Sequence, residues 1–308
     1  MRLFNYAHRG NEGGRVGVWL NGAGHDLAAL LGEDTDGPLG AHNVGRLPAW
    51  RDALVGLGAD ARAERALAPG SFRWLPPLLP AATFRDFYAF EQHVATARAR
   101  RGLEVPEAWY RFPVFYFSNP HTLRGHEATI DVPPDGEWMD FELEIGAVLG
   151  VGGRDLSPDA GEAAIAGYCV LNDWSARRVQ REEMSVGLGP AKGKDFATSL
   201  GPWLVTPDEL ADRREGKGYD LGMSVRRNGR ELSRGNWRDI HYSFGEMIAR
   251  ASRGVDLQPG ELIGSGTVGG GCILELGPEA AGGWLEPGDR VELEIERLGV
   301  LAGTVAAS

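Results

Sequence analysis

The chain has 308 residues, enough for one large domain or for a small and a larger one around a sizeable core. A net charge of −11 argues against nucleic acid or an anionic membrane as a main partner, because both need concentrated Lys and Arg. Its 45 glycines and 18 prolines argue for a turn-rich, mostly β chain, while nine Trp and eleven Phe argue against low-complexity disorder.

Residues 2–8 and 16–20 read as strands around a Gly-rich turn, followed by an Asn21-Gly22 turn, a short helix over 26–31 and a helix near 49–57. These make a small N-terminal β-rich domain, residues 1–75. Pro69-Gly70 and the Pro-rich run from Leu75 to Pro80 set it off from a larger domain, residues 76–308. Thr83 is placed to cap a helix running to about Arg101. On it, Asp86 and His93 are seven positions apart and share a face, although a lone helical His is more often a surface or core residue. Arg98, Arg100 and Arg101 read as a solvated helix end, where cations suit the dipole. A strand over 112–117 stops at Asn119-Pro120, His121 and His126 fall in the loop after it, and a short strand covers 128–132.

The stretch Met139-Asp140-Phe141-Glu142-Leu143-Glu144-Ile145 alternates acid and apolar residues before turning apolar at Ala147-Val148-Leu149. In a strand, Asp140, Glu142 and Glu144 share one face and Phe141, Leu143 and Ile145 the other, with adjacent acids ~6–7 Å apart. A solvated strand face is one reading. If the face is buried, like charges would repel at high cost, and a divalent cation between them removes the problem. Residues 158–164 read as a short helix and 165–171 as a buried strand that delivers Asn172-Asp173-Trp174-Ser175. Asp173 is either a functional carboxylate or the cap of a helix over 174–184.

Two nucleotide motifs fail on inspection. Around Gly193-Lys194 a phosphate loop needs Gly at 188 and Ser or Thr at 195, where Leu188 and Asp195 stand. Gly264-Ser265-Gly266-Thr267-Val268-Gly269 matches GxGxxG by letter, but Cys272-Ile273-Leu274-Glu275-Leu276 after it reads as strand, not helix. Strands over 199–206 and 220–227, an Asn228-Gly229 turn, a Ser243-capped helix to about Ala251 and a hairpin over 289–296 and 300–305 complete the chain. Cys169 and Cys272 sit in apolar runs and read as buried thiols, with no CxxC to suggest zinc. Neither a signal peptide nor a run of ~18 apolar residues is found, so a cytoplasmic location is expected.

Glu142, Glu144 and Asp173 form an all-oxygen set, suited to Mg²⁺ or Ca²⁺, with Mn²⁺ also admissible. The Glu-x-Glu strand, Asn172-Asp173-Trp174-Ser175-Ala176-Arg177, Gly193-Lys194-Asp195-Phe196 and Gly264-Ser265-Gly266-Thr267-Val268 together resemble the fumarylacetoacetate hydrolase family, over about 80–308. The resemblance implies an α+β, mostly β fold with a mixed β-roll or sandwich catalytic domain, and a homodimer. It also implies a divalent metal that chelates a small 2-oxo or β-diketo acid. By position it makes Glu142, Glu144, Asp173 and Asp86 metal ligands, His93 the base that activates water, Glu275 its orienting partner and Lys194 the group that neutralises developing charge. Tyr88, Tyr116, Arg177, Gln180 and Thr267 would line the pocket, and Asp140 would be the solvated start of the strand. Met184 stands where fumarylacetoacetases carry Tyr, Ser118 near where many short relatives carry Lys, and Ala89-Phe90-Glu91 where polar residues usually precede the His. The reaction expected is C–C hydrolysis of a fumarylacetoacetate-like or acylpyruvate-like acid, as in aromatic amino acid catabolism. Decarboxylation of an oxaloacetate-type acid, isomerisation of a 2-hydroxyhepta-2,4-diene-1,7-dioate-type acid, and non-catalytic ligand binding are the alternatives.

Overall fold

The computed structural model describes residues 1–11, 13–57, 66–68 and 70–307. Pro69 of the expected linker lies outside the described residues. An eleven-stranded sheet dominates, with the order 23–26, 15–20, 2–8, 198–205, 165–173, 143–149, 262–264, 84–87, 115–118; strand 72–75 also pairs with 2–8, and 123–124 with 198–205. The strand Arg2–His8 thus joins the N-terminal strands directly to Thr198–Val205. A second sheet has five strands, in the order 230–236, 222–227, 290–295, 299–305, 128–130.

Period-two alternation divides the core. Phe141, Leu143, Ile145, Ala147 and Leu149 join a large cluster with Val225, Val291, Leu293, Ile295 and Leu301 of the five-stranded sheet. Val148, Cys169, Leu171 and Leu200 face the opposite way, onto Leu3, Val18, Leu27, Leu30 and Trp50. Glu144 and Asp173 keep the parity of Val148 and Leu171, so they share this second face. The core of the N-terminal residues and one face of the strands that carry Glu144 and Asp173 are therefore one apolar cluster.

Local expectations hold where short-range chemistry decides. Asn228 and Gly229 adopt positive φ (52° and 79°) in the hairpin between Gly222–Arg227 and Arg230–Asn236. Ser243 caps Phe244–Ala251 in a reciprocal capping box with Glu246. Both cysteines are buried and free. Two assignments are corrected. The helix expected from Thr83 is instead a buried strand, Phe84–Phe87, followed by a helix, Glu91–Ala99. Pairing with Leu262–Gly264 on one side and Phe115–Ser118 on the other overrides the local helical pattern. Asp86 and His93 therefore belong to different elements. Ile273–Leu276, read as strand, is a single helical turn. Among the described residues, no helix is long and apolar enough to cross a membrane.

Candidate active site

Three strands and a loop bring the acids together. Asp86 lies on Phe84–Phe87, Glu144 on Leu143–Leu149 and Asp173 at the end of Ile165–Asp173. Gly264 lies between the first two in the sheet, opposite both Gly146 and Asp86. A Cβ at Gly264 would sit 2.3 Å from Asp86 Oδ1, so the glycine makes room for that carboxylate. Gly266, at φ 76°, turns the following loop so that its N–H donates to Glu144 Oε2 at 3.0 Å.

Asp86, Glu144 and Asp173 each offer a carboxylate oxygen, and these oxygens lie within 4.8 Å of one another in a fully buried setting. Asp86 Oδ1 and Asp173 Oδ1 have no hydrogen-bond partner, which is rare for buried polar atoms. Burial, and then the neighbouring Asp173, push the Asp86 carboxyl up to about 8; burial and the adjacent Asp86 raise Glu144 well above the carboxylate range. Unpartnered oxygens and mutual repulsion on an all-oxygen set fit a hard divalent cation. Asp173 caps no helix. The next helix is Arg177–Ser185, and Asp173 Oδ2 instead accepts from Tyr116 Oη (2.7 Å) and contacts Lys194 Nζ (2.6 Å).

Glu142 differs from Glu144. It accepts from Arg177 Nη2 at 2.6 Å and from Lys194 Nζ. Burial would raise its carboxyl, but the two cations hold it well below the usual range. The expected strand breaks at Phe141-Glu142, and its two acids differ in character: Glu142, just before Leu143–Leu149, is paired with cations, and Glu144, on it, is crowded by anions. Lys194 has three N–H donors; Glu142 and Asp173 use two.

His93, on the helix Glu91–Ala99, donates Nδ1–H to Glu275 Oε1 with both side chains buried. Glu275 Oε2 accepts from Gly270 N–H at 3.1 Å. This bond assigns the ring tautomer and leaves Nε2 as the basic nitrogen.

A cavity of about 1000 Å³ joins these parts. Asp86, Glu142, Glu144, His93, Lys194, Tyr88, Tyr116, Arg177, Gln180 and Thr267 all line it. Arg177 and Gln180 bond to each other at 2.9 Å, and Thr267 faces Glu144. Two expectations need correction. Asp140 is fully buried rather than solvated, because the short pairing of Met139–Asp140 with Ser175–Ala176 carries it under the site. The arginine expectation holds only in part: Arg100 and Arg101 are exposed at the helix end, but with Arg98 and Arg181 they also line the cavity. Arg98, Arg100 and Arg101 donate to the backbone carbonyls of Glu104, Glu275 and Ala97 rather than to carboxylates. Met184 and Trp138, each 39% exposed, stand at the mouth, where Trp138 stacks on Trp284.

Residues 82–306 match the family model for the fumarylacetoacetate (FAA) hydrolase C-terminal domain. The chain belongs to the fumarylacetoacetate hydrolase family. Among curated members, fumarylacetoacetase of Arabidopsis thaliana is 30% identical over 243 residues, 63% of this chain and 58% of that protein. The 2,4-didehydro-3-deoxy-L-rhamnonate hydrolase of Sphingomonas sp. (strain SKA58) is 32% identical over 187 residues, 61% of this chain and 62% of that one. The chain thus matches about three fifths of the length of each of these relatives. Solved family members share the fold. A fumarylacetoacetate hydrolase from psychrophilic Exiguobacterium antarcticum superposes with a TM-score of 0.73 at 22% identity, covering 100% of both chains. Maleylpyruvate hydrolase from Sphingobium sp. SYK-6, solved with manganese(II) and pyruvate, gives 0.71 at 22% identity over 99% of both.

Proposed function

We propose that the protein is a divalent-metal-dependent hydrolase that cleaves a carbon–carbon bond in a fumarylacetoacetate-like or acylpyruvate-like β-diketo acid. The observation that carries this reading is one cavity lined by Asp86, Glu144 and His93, with Asp173 completing the group of mutually repelling carboxylates and Glu275 bonded to His93 behind it. Asp86, Glu144 and Asp173 would hold Mg²⁺, Mn²⁺ or Ca²⁺, while Glu142, expected from the sequence as a fourth ligand, is turned to Arg177 and Lys194 in this structure. Such an ion, when bound, supplies Lewis-acid stabilisation of negative charge on substrate oxygens.

The chain's own groups supply the rest. His93 takes a proton from water at Nε2 while Glu275 holds the ring through Nδ1 and stabilises the imidazolium. Hydroxide adds to the distal carbonyl, the bond to the central carbon breaks with its electron pair left on the pyruvate half, and the His93 imidazolium returns its proton to that carbon. Carbon is a poor leaving group unless that charge spreads onto a carbonyl oxygen, and the remaining N–H of Lys194 is available to such an oxygen. Arg98, Arg100, Arg101 and Arg181 favour an anionic substrate. The named activities of the relatives, on fumarylacetoacetate, a didehydro-deoxy-sugar acid and maleylpyruvate, support a 2-oxo or β-diketo acid. The same reading takes the protein as a cytoplasmic homodimer, and sedimentation velocity of the purified chain reads its mass.

The test is a panel of acetylpyruvate and oxaloacetate with Mg²⁺, Mn²⁺ or Ca²⁺. Release of acetate and pyruvate from acetylpyruvate is expected, and Glu144→Gln and His93→Ala should each abolish most of it. Undiminished hydrolysis in both variants would overturn the reading, and CO₂ release from oxaloacetate without hydrolysis would move it to decarboxylation.

A further inference from the structure

Asp140 is fully buried, and its carboxylate is bonded on every side. Oδ1 accepts from the backbone N–H groups of Phe141 and Ile273, both at 2.8 Å. Oδ2 accepts from Leu274 N–H at 3.0 Å and from Arg177 Nε at 2.8 Å. Ile273 and Leu274 open the helical turn that carries Glu275, and Cys272, which precedes that turn, offers no side-chain cap. Asp140 therefore satisfies amides that the turn itself leaves orphaned. On its other side, Arg177 passes the contact to Glu142, and Glu142 to Lys194. One side chain thus holds both halves of the site: the turn that aims Glu275 at His93, and the cation chain that ends on Lys194.

From this geometry we infer that Asp140 is a positioning residue that sets the orientation of Glu275, and through it His93, relative to Lys194. The inference rests on the His93–Glu275 pair acting as proposed above. A mere structural anchor would be met by any residue that fills the volume and keeps the fold. A positioning residue must keep two acceptors aimed at two separate elements. Asn fills the same volume but turns one acceptor into an NH₂ group, which faces donors at Arg177 and Leu274. Misplacement of a catalytic group by about 1 Å can cost on the order of 10²-fold in rate.

The experiment compares wild type, Asp140→Asn, Glu275→Gln and the double variant. It reads turnover of acetylpyruvate with Mn²⁺, Mn²⁺ affinity by titration calorimetry, and the low-field proton resonance of His93 Nδ1–H. In Asp140→Asn, kcat should fall about 100-fold with KM and Mn²⁺ affinity within threefold, and the resonance should be lost or broadened as it is in Glu275→Gln. The double variant should be no slower than Glu275→Gln alone, because the two residues act through one group. Losses that multiply in the double variant, or an unchanged resonance in Asp140→Asn, would overturn the inference while leaving the proposed reaction intact. A Glu275→Gln variant as fast as wild type would overturn the reaction's base assignment, and this inference with it. If Asp140→Asn does not fold, Asp140→Ser, which keeps a single acceptor, takes its place, and an unchanged resonance there counts against the inference in the same way.

Discussion

At the scale of single residues, the two acids of the Glu-x-Glu pair should respond oppositely to loss of charge. Glu144 is crowded by Asp86 and Asp173, so Glu144→Gln should relieve repulsion in the metal-free protein. Unfolding in urea with EDTA present should show a gain in stability, together with loss of Mn²⁺ binding. Glu142 instead neutralises Arg177 and Lys194, and Glu142→Gln leaves those cations underpaired in a buried site. Breaking such a pair costs about 3–5 kcal/mol, and the same urea titration should register it. Equal effects in the two variants would mean that the division between ligand and counter-ion is wrongly drawn. His93→Ala should keep the fold and lower kcat by about 10²–10⁴, the usual yield of a positioned general base.

At the scale of elements, the N-terminal turn around Asp26 offers a test away from the cavity. Asp26 caps the helix Leu27–Leu31 through Ala29 N–H at 2.7 Å, pairs with Arg15 and accepts from Tyr6 Oη at 2.5 Å. Burial works to raise its carboxyl, yet the Arg15 and Tyr6 bonds and the Ala29 amide together hold it below 3.8. A depressed carboxyl contributes stability above the unfolded pKa, and that contribution is lost as pH falls through the folded value. Asp26→Ala should therefore cost about 2–4 kcal/mol at pH 7, from the cap and the stranded Tyr6 and Arg15 donors. The difference from wild type should shrink below pH ~4, as urea midpoints measured across pH would show. The segment 84–99 makes a complementary point about elements. Its helical spacing was legible, but both flanks of Phe84–Phe87 are paired, and only those partners reveal it as a strand.

At the scale of the whole molecule, the shared apolar cluster on one face of the large sheet ties residues 1–75 to the catalytic strands. Calorimetry should give one unfolding transition rather than two, since neither part closes its core alone. Mn²⁺ at 100 times its dissociation constant should stabilise the folded protein by about 2.7 kcal/mol, and EDTA should remove that gain. A thermal midpoint that does not respond to metal would count against the three-carboxylate site.

Much of this molecule was determined by the sequence alone, because the chemistry involved is local or strictly periodic. Alternation put Glu144 opposite Ile145, turn residues set the hairpin at Asn228-Gly229, and Ser243 with Glu246 set a helix start. The motif strings were long enough to give the family. Tertiary structure alone decided how those acids divide their work. Asp86 reaches Glu144 only through parallel pairing across Gly264, and Asp140 becomes buried only when a two-residue strand and a one-turn helix close over it. Charge state follows from what surrounds a side chain in space, and the cations beside Glu142 and the anions beside Glu144 come from segments 29 to 58 positions away.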